Sequence, residues 1–268
     1  MRAVQEFTVQ EGIADIEGWI TSGESKRGWT TALSGAVKCD TCAAKIVAIA
    51  PKVPIMPNII EDIHYQWQSY NGFTFEFADY IDANITTRID TPEFAQAMKY
   101  VDAINYIDEM ADIPKFFIVS SSDEFAQIEW TNAYYDKFKG EMELFIVPNT
   151  EHHLNTDGGF DLVYSSLGQF VRSIAKGEEK RPTFDYEVNK ESGEISVTIP
   201  KDQAQSLMQK VISVIMDRIS SSSEHQESED IKERAKIAVL IIVQRFAEED
   251  IFQKEQCQDF LSKHLEQI

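Results

Sequence analysis

The sequence predicts an α/β fold, in which a doubly wound parallel sheet is followed by a short β-hairpin and a helical tail. In residues 1–177, short apolar runs rich in Ile, Val and Phe alternate with segments of helical periodicity, a pattern typical of a parallel sheet covered on both faces. In residues 178–200, two alternating runs flank a turn-forming pentapeptide. The pattern of residues 201–268 is helical. We therefore expect three regions with these boundaries.

Four apolar runs are expected to be buried parallel strands, because each is short and is followed by small or turn-forming residues. They are Ile16 to Thr21, Lys45 to Ala50, Lys115 to Ser120 and Met142 to Val147. The helical segments of the same region are Lys26 to Val37, Phe94 to Met110, Gln127 to Phe138 and Phe160 to Lys176.

The segment from Asn58 to Asp90 is less regular and rich in aromatic residues. Such a cluster is either ordinary core or a lid over a binding site. If it is a lid, Trp67 is a candidate lining residue for a substrate pocket.

The remaining elements follow a charged, proline-ended connector. Thr183 to Val188 and Glu194 to Ile199 are expected to form the hairpin. The tail is expected to contain helices Gln205 to Ile219, Ile231 to Ala247 and Asp250 to Leu265, with a flexible linker at residues 220–229.

Composition excludes several classes of partner. The 268 residues carry 45 acidic and 25 basic side chains, and the resulting net charge of −20 repels nucleic acid and anionic membrane surfaces. No apolar run approaches the eighteen or so residues that a membrane-spanning helix needs, so the chain is not expected to span a membrane. Three cysteines are too few for a disulfide scaffold or a structural zinc site. We expect no metal and no cofactor, and Cys39 and Cys42 are either a local disulfide or two thiols.

The first predicted strand runs directly into a helix through Ser22-Gly-Glu-Ser-Lys-Arg-Gly28. This is the setting of a nucleophile elbow, in which a serine occupies a strained turn and the next backbone N–H binds an oxyanion. The usual G-x-S-x-G pattern is not met, because Arg27 stands at the second glycine position and Gly28 comes one residue later. From the pattern alone, Ser25 is either a nucleophile or a helix-capping serine.

Two further candidates follow later strands. Asp123 comes just after the third strand, and His152 and His153 come just after the fourth. The carboxyl ends of parallel strands meet at one edge of a sheet, which is where such folds collect functional residues. The order Ser, Asp, His is the one that α/β-hydrolases use.

Several blocks of the sequence resemble the PhoPQ-activated pathogenicity-related family, which includes the autocrine proliferation repressors. The block Ser22-Gly-Glu-Ser-Lys-Arg-Gly-Trp-Thr-Thr31 is similar to the G-x-S-K-R-G-W-T block of that family. Three later blocks resemble the family in the same order, namely Lys45 to Pro51, Asp123 to Phe125 and Val147 to His152. The resemblance implies an α/β-hydrolase-like fold and export from the cell, with a β-sandwich-like domain after it.

Carried over by position, the resemblance implies a role for each candidate. Ser25 falls on the nucleophile, Asp123 on the orienting acid and His152 on the base, with His153 as the rival base. The N–H of Lys26 falls on an oxyanion donor. The side chains of Lys26 and Arg27 either bind an anionic substrate group or pair with carboxylates of this acidic protein.

The resemblance also implies further strands before this block, and a second oxyanion donor from a loop after one of them. Because this sequence begins one helix before Ser25, those strands and that donor are expected to be missing, and the helical tail departs from the family's β domain. The first residues show no secretory leader, so a cytoplasmic location stays open beside the secreted one.

Three functions follow as hypotheses. The first is a serine hydrolase acting on an ester, amide or peptide bond of a small molecule or peptide. The second is a secreted, non-catalytic signalling protein that binds a cell-surface receptor. The third is an inactive, truncated paralogue. The sequence does not indicate the substrate or the oligomeric state.

Overall fold

This computed structural model describes residues 7, 10–12, 16–39, 44–55, 57–177, 181 and 184–200. The chain divides into two units, Met1–Glu179 and Lys180–Ile268. The predicted tail helices and the linker at 220–229 lie outside the described residues.

Four parallel strands form the sheet of the first unit, in the order β1-β2-β3-β4. They are β1 (Gly18–Glu24), β2 (Lys45–Lys52), β3 (Lys115–Ser120) and β4 (Met142–Val147). The predicted bounds of β3 and β4 are confirmed. Both β1 and β2 extend beyond their predicted ends, and β1 begins at Gly18 rather than at Ile16. Pairing continues to Gly23 opposite Pro51 and Glu24 opposite Lys52, so β1 ends directly at Ser25.

Helices and 3₁₀ turns connect the strands. The helices are α1 (Lys26–Ser34), α2 (Ile59–Tyr70), α3 (Ala78–Asp82), α4 (Pro92–Val101), α5 (Thr131–Tyr134) and α6 (Gly159–Lys176). The 3₁₀ turns are Phe75–Phe77, Ala103–Tyr106, Ile128–Trp130, Tyr135–Lys137 and Thr156–Gly158.

The helix predicted from Phe94 to Met110 is wrong at both ends. Thr91 caps its start, accepting a hydrogen bond from the N–H of Phe94 at 3.2 Å, and Pro92 occupies the first turn. The helix stops at Val101 because Asp102 has extended backbone angles. The Asp102 carboxylate instead accepts hydrogen bonds from the first N–H groups of α2, so tertiary capping overrides local periodicity.

The helix predicted from Gln127 to Phe138 is also wrong, since this segment is a short α-helix between two 3₁₀ turns. At Tyr134 the backbone leaves helical geometry with φ −137°. The buried Tyr134 ring packs on Phe117 of β3, with ring centroids 5.5 Å apart. Packing against the sheet, rather than helix propensity, sets the path of this segment.

Strand residues alternate between two apolar layers, as expected for a sheet buried on both faces. Ile49 and Phe117 belong to the layer that contains α1, α2 and the aromatic residues of the 3₁₀ turns. Their neighbours Ala48 and Phe116 belong to the layer beneath α6, where Phe116 packs on Phe170 at 5.2 Å between ring centroids.

The segment from Asn58 to Asp90 is more regular than predicted, because it begins with the twelve residues of α2. Its aromatic residues are partly core. Phe77 is fully buried and lies 4.8 Å from the ring of Phe125 and 5.3 Å from that of Phe73. The core alternative therefore holds for Phe77, while Trp67 remains half exposed.

In the second unit the described residues form the predicted hairpin, with β5 (Asp185–Val188) antiparallel to β6 (Ile195–Thr198). The turn between them is stabilised by the side-chain oxygen of Asn189, which accepts hydrogen bonds from the N–H groups of Glu191 and Ser192. Gly193 adopts φ +74°, which suits glycine.

Across the residues that the structure describes, no helix has the length and apolar character needed to cross a bilayer.

Helix α2 contains one buried carboxyl group, that of Asp62, without a hydrogen-bond partner among the described residues. Both carboxylate oxygens of Asp62 are buried and find no hydrogen-bond partner among the described residues. Burial, reinforced by the charges of Asp102 and Glu61, raises the pKa of Asp62 well above its usual range, and Lys137 opposes this weakly. The surroundings of Asp62 therefore favour its neutral form over the carboxylate.

We expect Asp62→Asn to stabilise the protein at about pH 8 by about 1–3 kcal/mol and to have little effect near about pH 4. Because the folded-state pKa is raised, the unfolded chain ionises first, and wild-type stability is lost as the pH rises from the unfolded to the folded pKa. Urea unfolding at a series of pH values measures this. Asp79→Asn, at an exposed position, is the control. An unchanged pH dependence in Asp62→Asn would contradict the prediction.

Candidate active site

Ser25 occupies a strained turn between β1 and α1. Its backbone angles are φ 56° and ψ −119°, in a region that favours glycine. A non-glycine residue in such a conformation costs on the order of 1–3 kcal/mol and persists only where the surroundings enforce it. The turn thereby presents the Ser25 hydroxyl beyond the carboxyl edge of the sheet, as the nucleophile-elbow prediction requires.

Two glycines make this turn possible. A Cβ atom at Gly23 would lie 2.7 Å from the carbonyl oxygen of Arg27, and one at Gly28 would lie 2.5 Å from the carbonyl oxygen of Lys52. Both distances are too short for any side chain. The position that must be glycine is therefore 28 rather than 27, which explains the departure from G-x-S-x-G in steric terms.

The structure brings Ser25, His152 and Asp123 into one hydrogen-bonded relay. The Oγ of Ser25 lies 2.8 Å from Nε2 of His152. The Nδ1 of His152 lies 2.9 Å from both carboxylate oxygens of Asp123. This arrangement fixes the imidazole with Nδ1 protonated and Nε2 facing the serine hydroxyl, so that Nε2 is the basic atom.

Asp123 is held by its own loop. Its Oδ1 accepts hydrogen bonds from the N–H groups of Phe125 at 2.9 Å and Ala126 at 2.7 Å. The carboxylate is fully buried, and the ring of Phe125 contacts His152 edge-on at 5.5 Å between centroids. Asp123 is thereby oriented toward His152 in a water-poor environment.

Hydrogen bonds join the loop that carries Asp123 to the loop that carries His152. The backbone carbonyl of Thr150 accepts hydrogen bonds from the hydroxyl of Ser120 and, at 3.0 Å, from the N–H of Ser122. The N–H of His152 donates to the carboxylate of Glu124 at 3.2 Å. The distance between acid and base is thus fixed by contacts between two strand ends.

The N–H of Lys26 begins α1 directly after Ser25. The first N–H groups of a helix have no acceptor within the helix, and they lie at the positive end of its dipole. N–H groups at such a position are suited to binding a negatively charged oxygen, and the oxyanion role of Lys26 stays a prediction.

The remaining predicted residues lie apart from the relay. The side chains of Lys26 and Arg27 are exposed and form no ion pair with any other described residue. Trp67 contacts Phe73 at 5.2 Å between ring centroids, two aromatic rings away from Phe125. The exposed ring of His153 lies 6.0 Å from that of His152 between centroids, but it does not replace His152 in the hydrogen bonds to Ser25 and Asp123.

Several charges act on His152. Burial disfavours the charged form of its ring, but the hydrogen bond and charge of Asp123 and the charges of Glu124 and Glu76 outweigh it, so the pKa of His152 is raised. Sequence reasoning did not identify Glu124 or Glu76. The acidic pair at 123–124 was a usable signal, whereas Glu76 reaches the site only through the fold of the segment after α2.

A cavity of about 460 Å³ lies beside the Asp123 loop. Its polar lining includes Ser122, Glu124 and Glu129, but neither Ser25 nor His152. Asp123 also lines this cavity, which therefore meets the relay at its acid and not at the Ser25 hydroxyl or the His152 ring.

A family model and a curated protein both match this chain. A family model described as PhoPQ-activated pathogenicity-related protein matches residues 1–218. The autocrine proliferation repressor protein A of Dictyostelium discoideum is 33% identical over 210 residues, which cover 75% of this chain and 40% of that protein. The chain therefore spans less than half the length of this curated relative.

Solved structures show the same fold. An acylaminoacyl peptidase from Pyrococcus horikoshii superposes with a TM-score of 0.51 at 16% identity, covering 66% of this chain and 27% of that one. At this identity the likeness concerns the fold alone, and it shows that the predicted α/β-hydrolase-like architecture is correct.

We expect Glu124→Gln to lower the pKa of His152, because it removes a negative charge that favours the imidazolium. The amide oxygen still accepts the His152 N–H, so the loop geometry is retained. NMR titration of the imidazole measures the change. Glu129→Gln, an exposed acid on the following segment, is the matched control and should leave this pKa unchanged. An equal shift in both variants would mean that only net charge matters.

Proposed function

This chain belongs to the PhoPQ-activated pathogenicity-related family, and from that premise we propose that it is a serine hydrolase that cleaves an ester, amide or peptide bond. The relay from Ser25 through His152 to Asp123 carries the proposal. Its contacts of 2.8 and 2.9 Å and the strained turn at Ser25 are the geometry that nucleophilic acyl transfer requires.

In the proposed acylation step, the Oγ of Ser25 attacks the carbonyl carbon of the substrate while Nε2 of His152 takes the hydroxyl proton. The carboxylate of Asp123 holds Nδ1–H and stabilises the imidazolium that forms. The carbonyl oxygen of the substrate becomes an oxyanion facing the N–H of Lys26.

Collapse of the tetrahedral intermediate breaks the bond to the leaving group, which receives the proton from His152. The acyl group then remains on Ser25. A water molecule, deprotonated by His152, attacks this acyl-enzyme, and the second collapse returns the proton to Ser25 and releases the acid.

The charge around the site supports a preference among substrates. Glu76 and Glu124 lie close enough to His152 to raise its pKa, and the whole chain has a net charge of −20. We propose that this negative charge outweighs the exposed cations of Lys26 and Arg27, so that neutral or cationic small molecules or peptides are accepted more readily than anionic ones.

We also propose that the protein is exported from the cell. Cys39 is disulfide-bonded, and disulfides persist mainly in oxidising compartments. Cys42 lies outside the described residues.

A fluorophosphonate probe, which reacts with activated serines, tests the proposal. We expect labelling of the full chain at Ser25, none in Ser25→Ala, and a loss of at least about a thousandfold in rate in His152→Ala. His153→Ala is the matched control and should label at nearly the natural rate, because the His153 ring touches His152 only edge-on and the hydrogen bonds to Ser25 and Asp123 belong to His152. Absence of labelling in the folded natural chain would show that the catalytic proposal is wrong.

The substrate preference is tested with a matched pair of esters that differ only in a cationic or anionic group on the leaving alcohol. We expect kcat/KM to favour the cationic ester, and Glu76→Gln to reduce the ratio by about two- to fivefold. Asp79→Asn changes the net charge equally at another exposed position of the same segment, and it should preserve the ratio. Equal effects of both variants would contradict a local role for Glu76.

A further inference from the structure

Lys52 ends β2 directly beside the turn that carries Ser25. Its backbone carbonyl accepts a hydrogen bond from the N–H of Ser25 at 3.0 Å. The same oxygen is the atom that a Cβ at Gly28 would approach to 2.5 Å. The start of α1 is therefore packed directly against the Lys52 carbonyl.

The side chain of Lys52 holds the other side of the same turn. Its Nζ lies 3.4 Å from a carboxylate oxygen of Glu24, the residue before Ser25 and the β1 partner of Lys52 in the sheet. The ammonium also lies 5.0 Å from the ring centroid of Tyr164 on α6. Only 9% of this side chain is exposed, compared with 30% for Glu24.

The chain just after Lys52 is strained as well. Val53 has φ 37°, an unusual value for a β-branched residue, and it is fully buried. Its N–H donates to the carbonyl of Ile118 at 2.7 Å. The direction of the Lys52 carbonyl is thus set by the strained conformation of Val53, which follows it, and by the pairing of β2 with β1.

We propose that Lys52 is a positioning residue that holds the nucleophile turn, acting through Glu24 and Ser25 rather than on the substrate. A lysine is almost never this buried unless it is paired. A buried ion pair adds little stability compared with apolar packing, and its best-attested use is to fix one register. Here the pair joins the last residue of β1 to the last residue of β2, which is the register that places Ser25.

This proposal rests on the proposed function for the role of Ser25, so its test has two arms. The first arm is the rate of fluorophosphonate labelling in the full chain, with the folded fraction measured by circular dichroism. We expect Lys52→Met to slow labelling by about tenfold to a hundredfold without changing the folded fraction. Lys52→Arg should retain most of the natural rate. Glu24→Gln removes the same ion pair from its more exposed side and should slow labelling as Lys52→Met does.

Lys45→Met is the matched control, because Lys45 is an exposed lysine at the opposite end of the same strand. It should label at the natural rate. The pH profile should keep the same midpoint in Lys52→Met, since His152 and Asp123 are untouched. A natural rate in Lys52→Met, or equal rates in Lys52→Met and Lys52→Arg, would overturn the proposal.

The second arm does not depend on activity. Native-state hydrogen exchange of the Ser25 amide reports the hydrogen bond to the Lys52 carbonyl. We expect exchange about tenfold faster in Lys52→Met and natural protection in Lys52→Arg and Lys45→Met. If the natural chain is unlabelled but exchange behaves in this way, the hydrolase proposal fails and the positioning role stands. Unchanged exchange in Lys52→Met would overturn the positioning role.

Discussion

The hydrogen bond from Ser25 to the carbonyl of Lys52 is the contact on which the site depends, because it closes a strained turn onto the sheet. Apart from asparagines, the non-glycine residues with positive φ in the described part of the chain are Ser25, Val53 and Leu154. Ser25 and Val53 directly follow the last residues of β1 and β2, and Leu154 is two residues after His152. Strain of this kind persists only where the surroundings enforce it, and here the parallel ladder and buried packing do so.

The same ladder explains how residues far apart in sequence meet. Parallel strands place their carboxyl ends at one edge, so Ser25 after β1, Asp123 after β3 and His152 after β4 emerge side by side. Alignment at an edge brings residues near each other but does not set a hydrogen-bond distance. That precision comes from the shared Thr150 carbonyl and from the backbone donors that hold Asp123.

The parts of this structure that could be predicted from sequence are those governed by local pattern. The bounds of β3 and β4 follow from short apolar runs, and the positions of Asp123 and His152 follow from the ends of these strands. Ser25 follows from the strand-turn-helix pattern after β1, although β1 itself ends later than predicted. The end of α4 could not be predicted from sequence, because Asp102 caps α2 and α2 is distant in sequence. Glu76 and the Lys52–Glu24 pair were likewise missed, since their roles arise from tertiary contacts that have no sequence period.

The charges around His152 set a balance within the proposed reaction. The ring must be neutral to accept the proton of Ser25, and it must then be stabilised as a cation until the leaving group departs. Asp123, Glu124 and Glu76 favour the cation, while burial disfavours it, and the net raised pKa shows that the carboxylates dominate. At mildly acidic pH a smaller fraction of the His152 rings is therefore neutral. In return, the carboxylates stabilise the positive charge that develops on the ring in the proposed transition state. A base whose pKa is raised becomes neutral only at a higher pH than a free imidazole does, so the proposed reaction is favoured as the pH rises.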